Sequence, residues 1–227
     1  MMNLNFFHWK QIFTIAAGLV LALQSAMAQE VSWQTVSVAG EGKSALCAQD
    51  TLYTSYAGNS AALVFTNMIV ELAPNAEHNS GAEFGGCRIV TKLVIPAGYY
   101  LAGLNQSTVA GVVKSVGARG EIRTRLDLKN APGQSGSGLN GRIETRTRFA
   151  PEDEMNQPML LLNGSFASSP SEIQSLCRTG RQNKTALNLE FRASVKGQRK
   201  TPGSAIIISI DSSDVQLDLN ARLGRCP

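Results

Sequence analysis

The stretch EIRTRLDL (121–128), followed after thirteen residues by RIETRTRF (142–149), decides how this chain is read. In the first, Ile122, Thr124, Leu126 and Leu128 take every second position, with Glu121, Arg123, Arg125 and Asp127 between them. The second repeats the pattern: Ile143, Thr145, Thr147 and Phe149 alternate with Arg142, Glu144, Arg146 and Arg148. A period of two is a strand signal, and so even a partition implies a sheet with one buried and one wet face. The intervening KNAPGQSGSGLNG (129–141) is rich in turn formers and reads as a flexible hairpin loop. The charges select a register. Asp127 opposite Arg142 also sets Arg125 opposite Glu144 and Glu121 opposite Arg148, leaving Arg123–Arg146 as the single like pair. Slipping by two residues either way makes more clashes. Such cross-strand pairs contribute about 0.2–1 kcal/mol each, enough to choose a register and too little to hold a fold.

The rest of the chain reads in the same idiom. Thr51–Tyr56 and Ala61–Leu72 are β-rich and meet at AGNS (57–60), and 73–86 is a polar loop. Arg88–Ile95 is a strand that stops at Pro96, which has no ladder donor to offer. Tyr99–Leu104, Val109–Val116, Met159–Phe166, Ala186–Val195, Ala205–Ile210 and Val215–Leu223 follow as further strands, with a weakly helical PSEIQSL at 170–176. Short strands separated by turn signals predict an all-β fold, an antiparallel β-sandwich of the Ig-like or jelly-roll-like kind.

The N-terminus reads as an address. Ile12–Leu23 is an apolar run of about twelve residues behind Lys10, too short for the roughly twenty that span a bilayer. Ala26-Met27-Ala28 then offers small residues for cleavage at Ala28/Gln29, so 1–28 is a predicted secretory signal peptide. Beyond it, 29–46 reads as an N-terminal extension and 47–227 as a single sandwich domain, with no later segment apolar enough to span a membrane. The formal charge of +4 falls to +3 with Lys10 gone, too mild to argue for nucleic acid. Cys47, Cys87, Cys177 and Cys226 all survive cleavage, and an even count in an exported chain reads as two disulfides with three possible pairings. Their separation and the isolation of His78 do not make a zinc site.

Four pieces in order carry a family resemblance: Cys47 before AALVFTNMIVEL, then CRIVTKLVIPAGYY, then CRTGRQNKTALNLEFRASV, then IDSSDVQLDLNARLGRC. Together they cover most of 45–227, and the chain resembles, as a distant member, the secreted proteins catalogued as domain of unknown function 4360. The resemblance implies a secreted, disulfide-bonded β protein and brings no catalytic residues. With it goes an expected pairing of Cys87–Cys177 and Cys47–Cys226, the second tying the chain ends. Pro96-Ala97-Gly98 is expected to turn the chain, with one of Tyr99 and Tyr100 inside and the other at the rim.

Candidate chemistry is sparse. A Ser-His-Asp centre needs a base beside its nucleophile, and His78 sits in a polar AEHNS loop with no Gly-x-Ser-x-Gly in the chain. Glu152, Asp153 and Glu154 cluster, and Asp211-Ser212-Ser213-Asp214 could offer oxygens to calcium, but both read first as solvated loop and turn. No catalytic, metal or cofactor set is expected. Asn105-Gln-Ser107, Asn163-Gly-Ser165 and Asn183-Lys-Thr185 are glycosylation acceptors only in a eukaryotic host. The feature that stands out is a ladder of Arg123, Arg125, Arg142, Arg146 and Arg148 on one face, joined by Arg119. Guanidinium forks bind carboxylate, sulfate and phosphate in pairs, so the expected partner is an anionic glycan or other envelope component. The leading expectation is a secreted or periplasmic non-enzymatic binding module. The alternatives are a secreted hydrolase with an unfamiliar carboxylate site and a structural subunit of a surface assembly.

Overall fold

The computed structural model describes residues 30–42, 44–45, 52–65, 69–73, 82–131, 139–210 and 216–227. The leader with its Ala28/Gln29 cut, Cys47, His78, the hairpin tip 132–138 and Asp211–Asp214 lie outside the described residues. The strands are β1 (Ser32–Gly42), β2 (Ser44–Ala45), β3 (Leu52–Ala57), β4 (Ser60–Phe65), β5 (Ile69–Leu72) and β6 (Ala82–Ile95). They continue with β7 (Tyr99–Lys114), β8 (Ala118–Asn130), β9 (Asn140–Phe149) and β10 (Met155–Ala167). After helix α1 (Pro170–Gly180) come β11 (Thr185–Arg199), β12 (Ile206–Ser209) and β13 (Gln216–Arg225).

The hairpin that opened the reading is β8–β9, and its register is the expected one. Asp127 faces Arg142, Arg125 faces Glu144, Arg123 faces Arg146 and Glu121 faces Arg148. These strands end a six-stranded sheet of order β1-β6-β11-β8-β9, with β2 parallel to β6. The second sheet, of seven strands, runs β3-β4-β13-β7-β12-β5, with β10 also on β7. β13 pairs with Tyr99–Thr108 of β7 and β12 with Gly111–Lys114, so they share one edge end to end while β10 takes the other. This is the β-sandwich the alternation predicts. Its core interleaves Ile89, Leu93, Ile122, Leu126 and Phe191 with Leu63, Leu104, Ile208, Leu217 and Leu219, all at 1 % exposure or less. Each such side chain contributes about 1.5–3 kcal/mol of hydrophobic free energy.

Among the described residues, a chain of polar groups crosses the core from β7 to β9. Gln106 of β7 donates through Nε2 to Thr124 Oγ1 on β8 at 2.8 Å, and Thr124 shares a 2.6 Å hydrogen bond with Thr145 on β9. The sequence reads Tyr99–Leu104 and Val109–Val116 as two strands because Asn105–Thr108 is polar. They form one strand, since Gln106 and Thr108 point inward, where Gln106 donates to Thr108 beside it on β7 and to Thr124 across the sheets. The two sheets also meet along β9 and β10. A Cβ at Gly164 would stand 2.2 Å from Ile143 Cγ2, and one at Gly141 2.6 Å from the Phe166 ring, so both glycines are required by close approach.

Three expectations are corrected. Within the segment read as an N-terminal extension (29–46), Ser32–Gly42 belongs to the domain: β1 pairs antiparallel with β6 inside the compact unit Val31–Pro227. Val31 and Trp33 are buried, and β1 covers what would otherwise be an open strand edge. The polar loop expected to Gly86 ends earlier, because β6 begins at Ala82. The expected disulfides Cys87–Cys177 and Cys47–Cys226 do not form, because Cys177 is bonded to Cys226 with Cα atoms 5.5 Å apart.

The reason for that pairing is local. Ser169 caps α1 in a reciprocal capping box with Glu172, and Pro170 begins the helix. The helix delivers Cys177 to the end of β13. There the Gly98 N–H donates to the Gly180 carbonyl at 2.7 Å, and the Cys226 N–H to the Gly98 carbonyl at 2.9 Å. Gly98, at φ +81°, completes the Pro96–Tyr99 turn. Tyr99 and Tyr100 are both half-buried against the core rather than divided between interior and rim. Cys87, fully buried on β6, is disulfide-bonded as well.

Two outcomes follow from this packing. Replacing Cys177 and Cys226 together by serine frees a span of 49 residues and is expected to cost about 4 kcal/mol in urea unfolding. Non-reducing peptide mapping of the native protein yields a linked Cys177–Cys226 peptide. Gly164→Ala is expected to cost about 1–3 kcal/mol, and a thermodynamic cycle with Ile143→Ala recovers part of that loss if the seam is the cause.

Candidate functional site

Register alone builds the outer face of the six-stranded sheet. β6, β11, β8 and β9 pair without a bulge, so outward side chains form rows across the four strands. One row is Arg142, Asp127, Glu190 and Val90; the next is Glu144, Arg125, Arg192 and Arg88. Then come Arg146, Arg123, Ser194 and Gly86, then Arg148, Glu121, Lys196 and Phe84, and last Arg119 beside Gln198. Two residues of strand separate the rows, about 6.6 Å, and neighbouring strands lie about 4.8 Å apart. All six arginines expected on this face are on it.

Seven arginines share four carboxylates here. Glu190 binds Arg88 at 2.8 Å and Arg192 Nε at 2.7 Å. Asp127 binds Arg125 at 2.6 Å and Arg142 at 2.9 Å. Glu121 binds Arg146 at 2.6 Å and Arg148 at 3.2 Å, and Glu144 binds Arg123 at 2.9 Å. The contacts refine the expected pairs. Asp127–Arg142 and Glu121–Arg148 are directly opposite, as expected. Arg125 turns along its own strand to Asp127 instead of crossing to Glu144, which Arg123 takes diagonally. The like pair Arg123–Arg146 is thereby relieved, each guanidinium leaning to a different acid.

The carboxylates respond. The hydrogen bond from Arg146 and a weaker one from Arg148 hold Glu121 below the usual carboxylate range, against the opposing effect of burial. Burial pushes Asp127 up, but hydrogen bonds from Arg125 and Arg142 together outweigh it and its pKa is lowered. Glu190 is lowered by Arg88, with Arg192 adding to it. Arg125, bonded to Asp127, is raised. A glycosidase acid must stay protonated near neutrality, whereas these three acids are held ionised. The acidic cluster Glu152–Glu154 is exposed, and Asp153 offers its backbone carbonyl to the buried Lys114. Among the described residues no group of three or more His, Cys, Asp and Glu side chains could hold a metal ion.

At the Arg119 end the face becomes concave. A cavity of about 470 Å³ is lined by Arg119, Glu121, Arg148, Lys196 and Gln198, with Phe149, Ala150 and Pro151 as its apolar part. Arg119 donates through Nε to Gln198 Oε1 at 2.7 Å. Neither Arg119 nor Lys196 has a carboxylate partner among the described residues. The face thus carries a surplus of positive charge, and at this end its cations have no carboxylate partner among the described residues.

The sequence reading missed Arg88, Glu190, Arg192 and Lys196. The signal was present in LNLEFRASVK (187–196), whose outward positions are Asn188, Glu190, Arg192, Ser194 and Lys196. What was missing is strand order, since β11 lies between β6 and β8 although it follows both in the chain.

No protein-family model and no curated protein matches the sequence. Among solved structures the chain is similar to a carbohydrate-binding module in complex with β-1,4-galactotriose. They share 12 % identity over 85 % of this chain and 88 % of that one, at a TM-score of 0.28. A mannan-recognising carbohydrate-binding module shares 12 % identity over 82 % and 87 %, at 0.27. A family 11 module from Clostridium thermocellum shares 12 % over 85 % and 90 %, at 0.20. All three TM-scores are below 0.5, so the likeness assigns no ligand to this chain.

The lowered carboxylates set a pH dependence of stability. Their folded-state pKa values lie below the unfolded ones, so the native state binds fewer protons. The stabilisation is complete above the unfolded values near pH 4 and is lost as pH falls through the folded ones. Asp127→Asn is expected to cost about 1–3 kcal/mol at pH 7, moderated because both arginine partners can turn to water. It should also flatten the acid limb of a urea-midpoint profile. A limb as steep as the parent's would mean that other groups govern it.

Proposed function

We propose that this protein is an exported, non-enzymatic binding module that holds a polyanionic polymer, an anionic glycan of an envelope or matrix, against the outer face of its six-stranded sheet. One observation carries the reading: seven arginines share four carboxylates on that face, and Arg119 and Lys196 stand beside them with no carboxylate partner among the described residues. The formal charge of the whole chain is only +4, so the cationic surplus is concentrated on one side. Paired cysteines suit an oxidising compartment. The resemblance to the secreted family of unknown function agrees with export and adds no ligand. Arginines on paired strands form a rigid array, so little side-chain and backbone freedom remains to be lost when a polymer lies across them.

Binding of this kind is electrostatic at range and weakens with salt. The mature protein is expected to be retained on a heparin column and released as salt rises. Arg123→Ser, Arg146→Ser and Arg148→Ser together should abolish most of that retention. A charge-matched control, Arg178→Ser, Arg181→Ser and Arg222→Ser, removes three cations from α1, its C-cap and β13 and should leave most of it. Equal losses in the two variants would show that net charge rather than this face is responsible.

A further inference from the structure

We propose that the cavity at the Arg119 end of the face is a subsite for one acidic sugar residue, a hexose ring bearing an anionic substituent. The inference rests on the polyanion reading and names the part of the ligand that is selected rather than merely attracted. At about 470 Å³ the cavity falls within the roughly 300–1,000 Å³ of small-molecule sites. Its walls combine three demands that a bare anion does not meet.

The first is cationic. Arg119 uses Nε on Gln198 Oε1, so the terminal nitrogens of its fork remain for a ligand oxygen pair. Lys196 and Arg148 stand with it in the same lining. The second is an acceptor. Arg146 and Arg148 both bond Glu121 through the same oxygen, Oε2, leaving Oε1 without a donor among the described residues. Glu121 is kept ionised, so Oε1 asks for an O–H and repels the oxygens of sulfate or phosphate. Gln198, its Oε1 occupied by Arg119, keeps its amide N–H groups for a hydroxyl oxygen. The third is apolar: Phe149, Ala150 and Pro151 give the cavity a non-hydrogen-bonding side. A ligand that satisfies all three carries an anionic group, several hydroxyls and a face of C–H bonds, which is the chemistry of an acidic sugar. A fatty anion lacks the hydroxyls, and inorganic sulfate lacks both hydroxyls and apolar face.

The test is calorimetric titration of the mature protein with trigalacturonate, the matching neutral trigalactoside and sodium sulfate, at constant ionic strength. The acidic trisaccharide should bind, the neutral one should bind at least about tenfold more weakly, and sulfate should not displace the acidic one at equal concentration. Arg119→Gln and Lys196→Gln, both on the surface, should each weaken the acidic trisaccharide about tenfold or more. Both should keep native circular dichroism. Failure of the acidic trisaccharide to bind, equal binding of the neutral one, displacement by sulfate mole for mole, or indifference to both substitutions each overturns the subsite. Heparin retention surviving any of these leaves the polyanion reading standing; its loss in the native protein removes both.

Discussion

The unbroken register of β6, β11, β8 and β9 is the constraint on which the rest of the molecule depends. Side chains alternate strictly along a strand, so a slip of one residue would bring every arginine inward and every leucine out. Fourteen residues of β11 face β6 in sequence from Thr185 to Gln198, and β8–β9 keeps its count from Gly120 to Lys129. Register shifts lie elsewhere, between Thr35 and Ser37 where β1 meets β6 and, in the seven-stranded sheet, between Gln157 and Leu160 and between Arg222 and Leu223. The four strands in unbroken register carry the charged face. Register sets core and face together: Ile122 and Leu126 are buried because Glu121, Arg123, Arg125 and Asp127 are not pointing inward.

Stability alone does not account for that face. Exposed ion pairs contribute about 0–1 kcal/mol, and a surplus of like charge on one sheet costs repulsion. Arg125, Arg192 and Arg88 stand side by side in one row, an arrangement that pays for itself only through Asp127 and Glu190 in the row beside it. Asp127 is the exception that anchors the set, its side chain 7 % exposed and gripped from two strands. The other acids act as internal counter-ions. They keep the guanidiniums aligned, and on the proposed reading an incoming anionic group would compete with them for the same forks. On the proposed reading, binding is an exchange of partners rather than a capture of idle charges, except at cations such as Arg119 and Lys196, which have no carboxylate partner among the described residues.

Much of this was legible from local pattern. Period two gave β8 and β9 and their inward and outward sets, and the charge signs gave their register, because both depend only on residues within one hairpin. Helix α1 was visible in its proline and early glutamate. What was not legible depends on contacts between distant segments. Asn105–Thr108 reads as a break until Thr124 is seen across the core as partner to Gln106. The Cys177–Cys226 bond follows from where α1 and the end of β13 meet, a meeting the cysteine spacing does not encode. The contribution of Arg88, Arg192 and Lys196 needed β11 to be inserted between β6 and β8. The arginine ladder was therefore read as five or six residues of one hairpin, when the hairpin is only the edge of a four-strand surface.

The two halves of the candidate site act over different distances. At an ionic strength of about 0.15 M the Debye length is about 8 Å, little more than the spacing of one row of arginines from the next. On the proposed reading a polyanion must lie flat on the strands before most of the ladder can feel it, and the ladder would then hold it with little regard to its chemistry. The cavity works at hydrogen-bond range and is indifferent to length. Glu121 belongs to both: through Oε2 it neutralises Arg146 and Arg148 in the ladder, and through Oε1 it presents an acceptor to the cavity. If the proposed reading holds, a single carboxylate sets both how strongly the face attracts and what the cavity admits, so attraction and selectivity at this end of the sheet are coupled through Glu121.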